Sequence, residues 1–134
     1  MATILAHLTI KEGCEERFEA IARQLHDGTF AHEDNVLRYE YWRGEHPRTY
    51  YTLLSFEDHR SFIEHQVSDH HEEASPQLGE VCEAIRLEWV DPIQASSPLP
   101  PTNAQDAPAD ADALTADYAK RYAANVADWW LALR

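Results

Sequence analysis

Two extended segments joined by a very short connection constrain the fold of this 134-residue chain more than any other feature. Residues 36–43 (VLRYEYWR) and 49–56 (TYYTLLSF) are rich in aromatic and β-branched side chains, which favour strands. Residues 44–48, which separate them, contain one glycine and one proline and are of hairpin length. The two segments are therefore predicted to form an antiparallel pair of strands.

Segments with strand and helix periodicity flank this hairpin on both sides. Residues 3–10 alternate between two faces, which predicts a first strand. The helix after it has a buried apolar stripe, formed by Phe18, Ile21, Ala22 and Leu25. A second helix is predicted to begin after Asp58, its N-cap residue, and to end near Pro76. Residues 84–90 (AIRLEWV) predict a fourth strand.

The order of these elements, β-α-β-β-α-β, predicts an α+β fold of the ferredoxin-like type. Two helices would cover one face of a four-stranded antiparallel sheet. The other face would carry Ile4, Ala6 and Leu8, or their alternates, together with several aromatic side chains. An apolar face of that size is not stable in water, so a second copy of the chain is predicted to cover it in a two-fold homodimer.

The composition changes after the fourth strand and predicts three parts. Residues 1–93 form the βαββαβ domain, residues 94–109 a linker rich in proline and alanine, and residues 110–134 an amphipathic helix. The apolar stripe of this helix includes Leu114, Tyr118, Tyr122 and Trp129 or Trp130. Such a helix must dock, either on its own domain or on the partner chain, and the length of the linker slightly favours the partner.

The charge of the chain excludes several classes of partner. A formal net charge of −13 argues against nucleic acid and against anionic membrane surfaces, since both require clustered Lys and Arg. No apolar run approaches the length of a membrane span, and the first residues lack the basic start of a signal peptide. Two cysteines make no disulfide framework, so a cytoplasmic location is predicted.

Residues 56–76 hold four of the eight histidines. At about 100° per residue, His65 lies at the border of the buried face of the second helix, and Asp69 lies one turn further along. A carboxylate at that position can orient an imidazole for proton transfer. A histidine at a helix border is more often a solvated or packing residue, so the spacing alone leaves both roles open.

The same helix offers His65, Asp69, His70 and Glu72 as metal ligands. On one continuous helix His70 would lie about 140° from His65, so the side chains could not converge on one ion. No metal site is therefore predicted, and the polar residues 32–35 are interpreted as solvated. The chain also lacks a glycine-rich phosphate loop, so no flavin site is predicted.

Three features together resemble the antibiotic biosynthesis monooxygenase superfamily, and its small quinol-monooxygenase-like members in particular. They are the βαββαβ order, the segment 30–33 (FAHE) leading to 37–40 (LRYE), and the pattern Phe62-x-x-His65-x-x-Ser68-x-His70. The resemblance covers residues 3 to 92, and the tail has no counterpart in it.

This resemblance implies a dimeric α+β barrel in which each subunit holds an apolar cavity between its sheet and its helices. Members of the family oxidise phenols or quinols with molecular oxygen and use no metal or flavin, so the expected substrate is a small aromatic molecule and no cofactor is expected. The catalytic candidates are His65 as base, Asp69 as its orienting group, and His7 on the first strand. The expected substrate-binding residues are Asn35, Tyr39, Phe56, Phe62 and His70.

Some positions depart from patterns within the superfamily. Haem-degrading members carry an asparagine, a tryptophan and a histidine where this chain has His7, Phe56 and Ser75, so haem degradation is not expected. Two alternatives to oxidation stay open. The domain could be a non-catalytic dimeric module that binds or senses a small molecule, or His65 could serve isomerisation or decarboxylation, because a fold does not fix a function.

Overall fold

The computed structural model describes residues 1–134 and shows a four-stranded antiparallel sheet with helices on one face. The elements are β1 (Ala2–Ile10), α1 (Glu15–His32), β2 (Val36–Arg43), β3 (Thr49–Phe56), α2 (His59–Gln66), α3 (Asp69–Val81), β4 (Cys82–Trp89), α4 (Ala113–Arg121) and α5 (Asp128–Leu131). The predicted α+β, ferredoxin-like βαββαβ fold is confirmed. None of the helices combines the length and apolar character needed to cross a membrane.

The strands lie in the order β2-β3-β1-β4, which places β1 at the centre of the sheet. The hairpin predicted from the short connection is present, with Tyr39 of β2 opposite Leu54 of β3. On β1, Ile4 lies opposite Leu54 on one side and Trp89 on the other. The central strand thus joins the hairpin to β4.

The core lies between the sheet and the helices. Ile4, Ala6, Leu8 and Ile10 of β1 are buried there and belong to the same cluster as Phe18 of α1. Because side chains alternate along a strand, these four residues share one face. Burying each large apolar side chain contributes about 1.5–3 kcal/mol, so this face anchors α1 to the sheet.

The open face of the sheet therefore carries the residues that alternate with these four along β1. This face is less apolar than predicted. Leu5, Tyr51 and Leu53 lie among charged pairs, among them Arg38–Glu40 and Arg86–Glu88. Ile4, Ala6 and Leu8, one of the two sets of residues considered for this face, are covered by the helices and give no support to the argument that the open face is too apolar for water. The homodimer stays a prediction, and Trp42, on the same face, is 59% exposed.

The predicted second helix is divided at Val67 and Ser68. Val67 leaves the helical conformation (φ −95°, ψ 1°), and the Ser68 hydroxyl donates to the carbonyl of His65 at 2.7 Å. Ser68 then becomes the N-cap residue of α3, with an extended backbone. The predicted end near Pro76 is wrong, since α3 continues through this proline to Val81.

The tail packs on its own domain through a buried threonine. Thr102 is fully buried: its hydroxyl oxygen accepts from the Thr3 amide at 3.2 Å, and its hydroxyl donates to the Val90 carbonyl at 2.8 Å. Arg134 forms a bidentate pair with Asp91 nearby, which holds the pKa of that carboxyl below its usual value. In the single chain the tail therefore docks on its own domain, and docking on a partner chain stays a prediction.

Two short helices replace the single helix predicted for residues 110–134. In α4 the Tyr118 hydroxyl donates to Glu72, and the ring of Tyr122, the residue that follows the helix, lies 5.9 Å from that of Phe62. His59 binds the tail at both ring nitrogens: Nε2 donates to the Tyr122 carbonyl at 2.9 Å, and Nδ1 accepts from the Gln105 amide at 3.3 Å. The tail therefore covers the outer side of α2.

The predicted N-cap of α2 is confirmed and gives a first testable expectation. The Asp58 carboxylate accepts from the Ser61 amide at 2.8 Å and from the Ser61 hydroxyl at 3.0 Å. Asp58→Ala should lower the free energy of unfolding by about 1 kcal/mol, because the first turn of α2 loses its acceptor. Urea denaturation measures the change. Asp58→Asn keeps an acceptor and should stay close to the native value, so equal losses in both variants would contradict the capping role.

Candidate active site

One carboxylate bridges two histidines between the helices. Oε1 of Glu33 lies 2.8 Å from Nδ1 of His65 and 2.8 Å from Nε2 of His70. Nδ1 of His65 donates a hydrogen bond to this carboxylate, whereas Nε2 of His70 lies at ion-pair distance from it without hydrogen-bond geometry. The three residues form a cluster that the sequence did not predict as a unit.

Three separate elements bring these residues together. Glu33 is the C-cap of α1, and its extended backbone (φ −124°, ψ 121°) turns the chain away from the helix. His65 lies near the end of α2, and His70 lies in the first turn of α3. The break at Ser68 returns His70 toward His65, so that their ring centroids are 6.0 Å apart. A continuous helix would have separated them.

The surroundings of His65 are apolar and closed to water. Its side chain is 1% exposed, and its ring centroid lies 5.2 Å from that of Tyr39 and 5.1 Å from that of Phe56. Its Nε2 is buried without a hydrogen-bond partner. The ring of His71 lies 4.9 Å away, and burial lowers the pKa of His71 to about 3, which keeps it neutral.

The Glu33–His65 pair has the arrangement of a general base. The carboxylate holds the imidazole in the tautomer with a proton on Nδ1, and it stabilises the imidazolium that forms when Nε2 takes a second proton. The free lone pair of Nε2 faces aromatic rings and has no competing donor. This site can therefore accept a proton from a weakly acidic group placed against it.

A groove of about 600 Å³ lies between α1 and strands β2 and β3. Its walls include the aromatic side chains of Phe18, Tyr39, Tyr41 and Tyr50, and the Glu19–Arg43 pair lies at its rim. Tyr39 separates this groove from His65, which does not line it. Burial raises the pKa of Tyr39 well above its usual value, so its hydroxyl stays protonated.

The structure places several predicted site residues elsewhere. Asp69 is exposed and makes no hydrogen bond to His65, whose orienting carboxylate is Glu33. His7 lies on the open face of the sheet, 3.0 Å from Glu88, and therefore on the opposite side of the sheet from His65. Asn35 is exposed, and only its backbone carbonyl is used, by the Glu57 amide. The orienting role predicted for Asp69 is wrong, and the structure brings neither His7 nor the side chain of Asn35 to the Glu33–His65 pair.

Other predicted residues do surround the site. Tyr39 and Phe56 contact the ring of His65, and His70 shares its carboxylate. Phe62 packs between Phe56 and the tail residue Tyr122. Glu33 was missed because residues 32–35 were interpreted as solvated, although it belongs to the FAHE segment of the family resemblance. The Ser68-x-His70 spacing, with a serine at N-cap, was the available signal for the helix break.

The same cluster contradicts the argument against metal ligands. Donor atoms of Glu33, His65 and His70 all lie within 4.8 Å of one another. The helical-wheel argument assumed one helix, whereas these ligands come from three elements. The geometric ground for predicting no metal site therefore does not hold.

Comparison with known proteins agrees with this architecture. The βαββαβ sheet with a buried histidine–carboxylate pair between its helices is an α+β domain of the ferredoxin-like class. The sequence profile described as antibiotic biosynthesis monooxygenase matches residues 1–77, and the chain belongs to that family. No curated protein matches the sequence.

Solved structures share the fold at low sequence identity. A protein from Caulobacter crescentus CB15 with the same family designation is 20% identical, with a TM-score of 0.66 over 69% of this chain and 90% of its own. A Shewanella oneidensis protein is 26% identical, with a TM-score of 0.61 over 66% and 87%. A Mycobacterium tuberculosis protein is 15% identical, with a TM-score of 0.65 over 72% and 98%. The tail lies outside most of this shared region.

Proposed function

We propose that this protein is a cofactor-independent monooxygenase that oxidises a small aromatic molecule of the quinol or phenol type with molecular oxygen. The observation that carries the proposal is the buried Glu33–His65 pair, with Nε2 of His65 unpartnered among aromatic rings. A phenol must lose its proton before it can give an electron to oxygen, and this pair supplies the base. The membership of the chain in a monooxygenase family supports the same chemistry.

The groove beside Tyr39 supports an aromatic substrate. Its volume of about 600 Å³ suits a ligand of drug-like size, and five of its eleven lining residues are Phe, Tyr or Trp. A substrate in this groove reaches His65 only when Tyr39 rotates, because the Tyr39 ring stands between them. The Tyr41 hydroxyl donates to the Tyr39 hydroxyl at 3.2 Å and holds the closed position.

The proposed reaction balances without an external reductant. His65 takes the phenolic proton, and the resulting anion gives electrons to O₂. One oxygen atom then enters a ring carbon and the other leaves as water, with all four electrons coming from the quinol. The apolar surroundings keep water away from the reactive intermediates.

A non-catalytic binding or sensing module is the second candidate. It is favoured by the packed environment of His65, which lines none of the described grooves. In this case the aromatic groove would bind a ligand, and the Glu33–His65 pair would serve only to join the helices. The two candidates differ in whether a bound aromatic molecule is consumed.

Oxygen consumption with a panel of quinols and phenols tests the proposal. We expect at least one quinol to give uptake of one O₂ per substrate, above the rate of its autoxidation, with one ¹⁸O atom from ¹⁸O₂ in the product. Metal-free buffer with a chelator should leave this rate unchanged. Saturable binding of the same molecules without oxygen uptake would instead identify a binding module.

A further inference from the structure

We propose that Glu33, His65 and His70 form a binding site for a divalent transition-metal ion of the zinc type, with Oε1, Nδ1 and Nε2 as the three ligand atoms. This inference goes beyond the proposed oxidation, which uses the same histidine without a metal. Nδ1 of His65 holds either a proton or a metal ion, so the two states exclude each other.

The distances bring three ligand atoms close to the spacing that an ion requires. Oε1 of Glu33 lies 2.8 Å from each of the two ring nitrogens. Ligand atoms at about 2.0–2.2 Å in a tetrahedral zinc site lie about 3.3–3.5 Å apart. The carboxylate would therefore have to move by about half an ångström, and the two ring nitrogens, which lie within 4.8 Å of each other, would have to reach the same spacing.

The ligand types select the class of ion. Two imidazoles and one carboxylate favour Zn²⁺, Co²⁺ or Fe²⁺ over Mg²⁺ and Ca²⁺, which prefer oxygen ligands. Three protein ligands leave a fourth position for water, as in open zinc sites. The side chains of Glu33 and His70 are 14% and 19% exposed, so an ion can enter from their side while His65 stays buried.

Two further observations point to a cation at this position. Nε2 of His70 is approached by three oxygen atoms, since the Ser68 hydroxyl lies at 3.2 Å and the Thr29 hydroxyl at 3.5 Å in addition to Glu33. A single N–H cannot serve three acceptors well, so the polar atoms around this nitrogen exceed what one proton can satisfy.

The buried ring nitrogens without partners provide the second observation. They are Nε2 of His65 and Nδ1 of His71, and their ring centroids are 4.9 Å apart. A metal ion on Nδ1 of His65 would leave the hydrogen on Nε2, whereas the proton-bridged state leaves Nε2 without a hydrogen and without a partner.

Metal binding to the purified full-length chain, without any substrate, tests the site. Competition with a chromophoric chelator should show one Zn²⁺ per chain with a Kd in the micromolar range or tighter. Co²⁺ should give the visible absorption bands of a four-coordinate site. His70→Ala and Glu33→Gln should each weaken binding at least about tenfold, since each removes one of three ligands. His46→Ala removes an exposed hairpin histidine and should change nothing.

Two results would overturn the site: no saturable binding of Zn²⁺, or binding that persists unchanged in His70→Ala. Circular dichroism checks that each variant is folded. If His70→Ala does not fold, ¹⁵N NMR spectra of the histidine rings in the wild-type chain test the site instead. Zn²⁺ must then shift the ring-nitrogen signals of two histidines and leave those of His46 unchanged. These measurements involve no turnover, so their outcome is independent of the proposed oxidation.

Discussion

His65→Ala should lower kcat for the aromatic substrate by about 10²–10⁴-fold, because it removes the proposed general base. The expectation depends on the buried lone pair of Nε2 and on the carboxylate that holds Nδ1. Steady-state oxygen uptake measures the effect. KM should change less than kcat, since substrate in the groove contacts Tyr39 and not His65.

Two further variants separate the possible orienting carboxylates. Glu33→Gln should lower kcat by about tenfold or more, because the amide no longer stabilises the imidazolium. Asp69→Ala should retain activity, since Asp69 is exposed and does not contact His65. His46→Ala serves as the control for histidine removal. Loss of activity in Asp69→Ala with activity kept in Glu33→Gln would reverse the assignment made from the structure.

Removal of all residues after Ile93 should lower the free energy of unfolding by at least about 3 kcal/mol. The truncation removes the hydrogen bonds of Thr102 with the Thr3 amide and the Val90 carbonyl, which contribute about 0.5–1.5 kcal/mol each. It also uncovers Phe62 and Trp89, which face Tyr122 and the tail. Urea denaturation, followed by tryptophan fluorescence and circular dichroism, measures the loss.

A point variant in the tail serves as the control for the truncation. Trp129 is 67% exposed, so Trp129→Ala should change stability by no more than about 0.5 kcal/mol. Sedimentation of the truncated chain also tests the predicted homodimer, because a tail that docks on its own domain should leave self-association through the sheet intact. A truncated chain of unchanged stability would show that the Thr102 contacts contribute little.

The fold could be predicted from the sequence because its signals are local. The short connection at residues 44–48 defined the hairpin, and Asp58 marked the start of α2. The sequence left open which face of β1 packs on the helices, because Leu5 and His7 alternate with Ile4 and Ala6 and both sets contain apolar residues. Periodicity shows that two faces exist, but burial depends on which helices pack above them.

The site was predicted only in part because its geometry depends on one local break. His65, Tyr39, Phe56 and His70 were named from the family resemblance, and they do lie together. Their orienting carboxylate comes from the end of α1, more than thirty positions earlier in the chain. The tail was harder still, since the contacts of Thr102 with Thr3 and Val90 leave no periodic pattern in the sequence.

The docking of the tail through Thr102 also determines the order in which the chain can fold. The β2–β3 hairpin closes over a few residues, whereas Thr102 meets Thr3 across 99 positions. Contacts of such separation form late, because they carry a large loop-closure entropy and here require β1 and β4 to be paired first. Until the tail has docked, Phe62 and Trp89 are uncovered on an otherwise complete sheet. A chain whose tail has not docked would expose these two aromatic side chains, so we expect docking of the tail to protect the domain from aggregation.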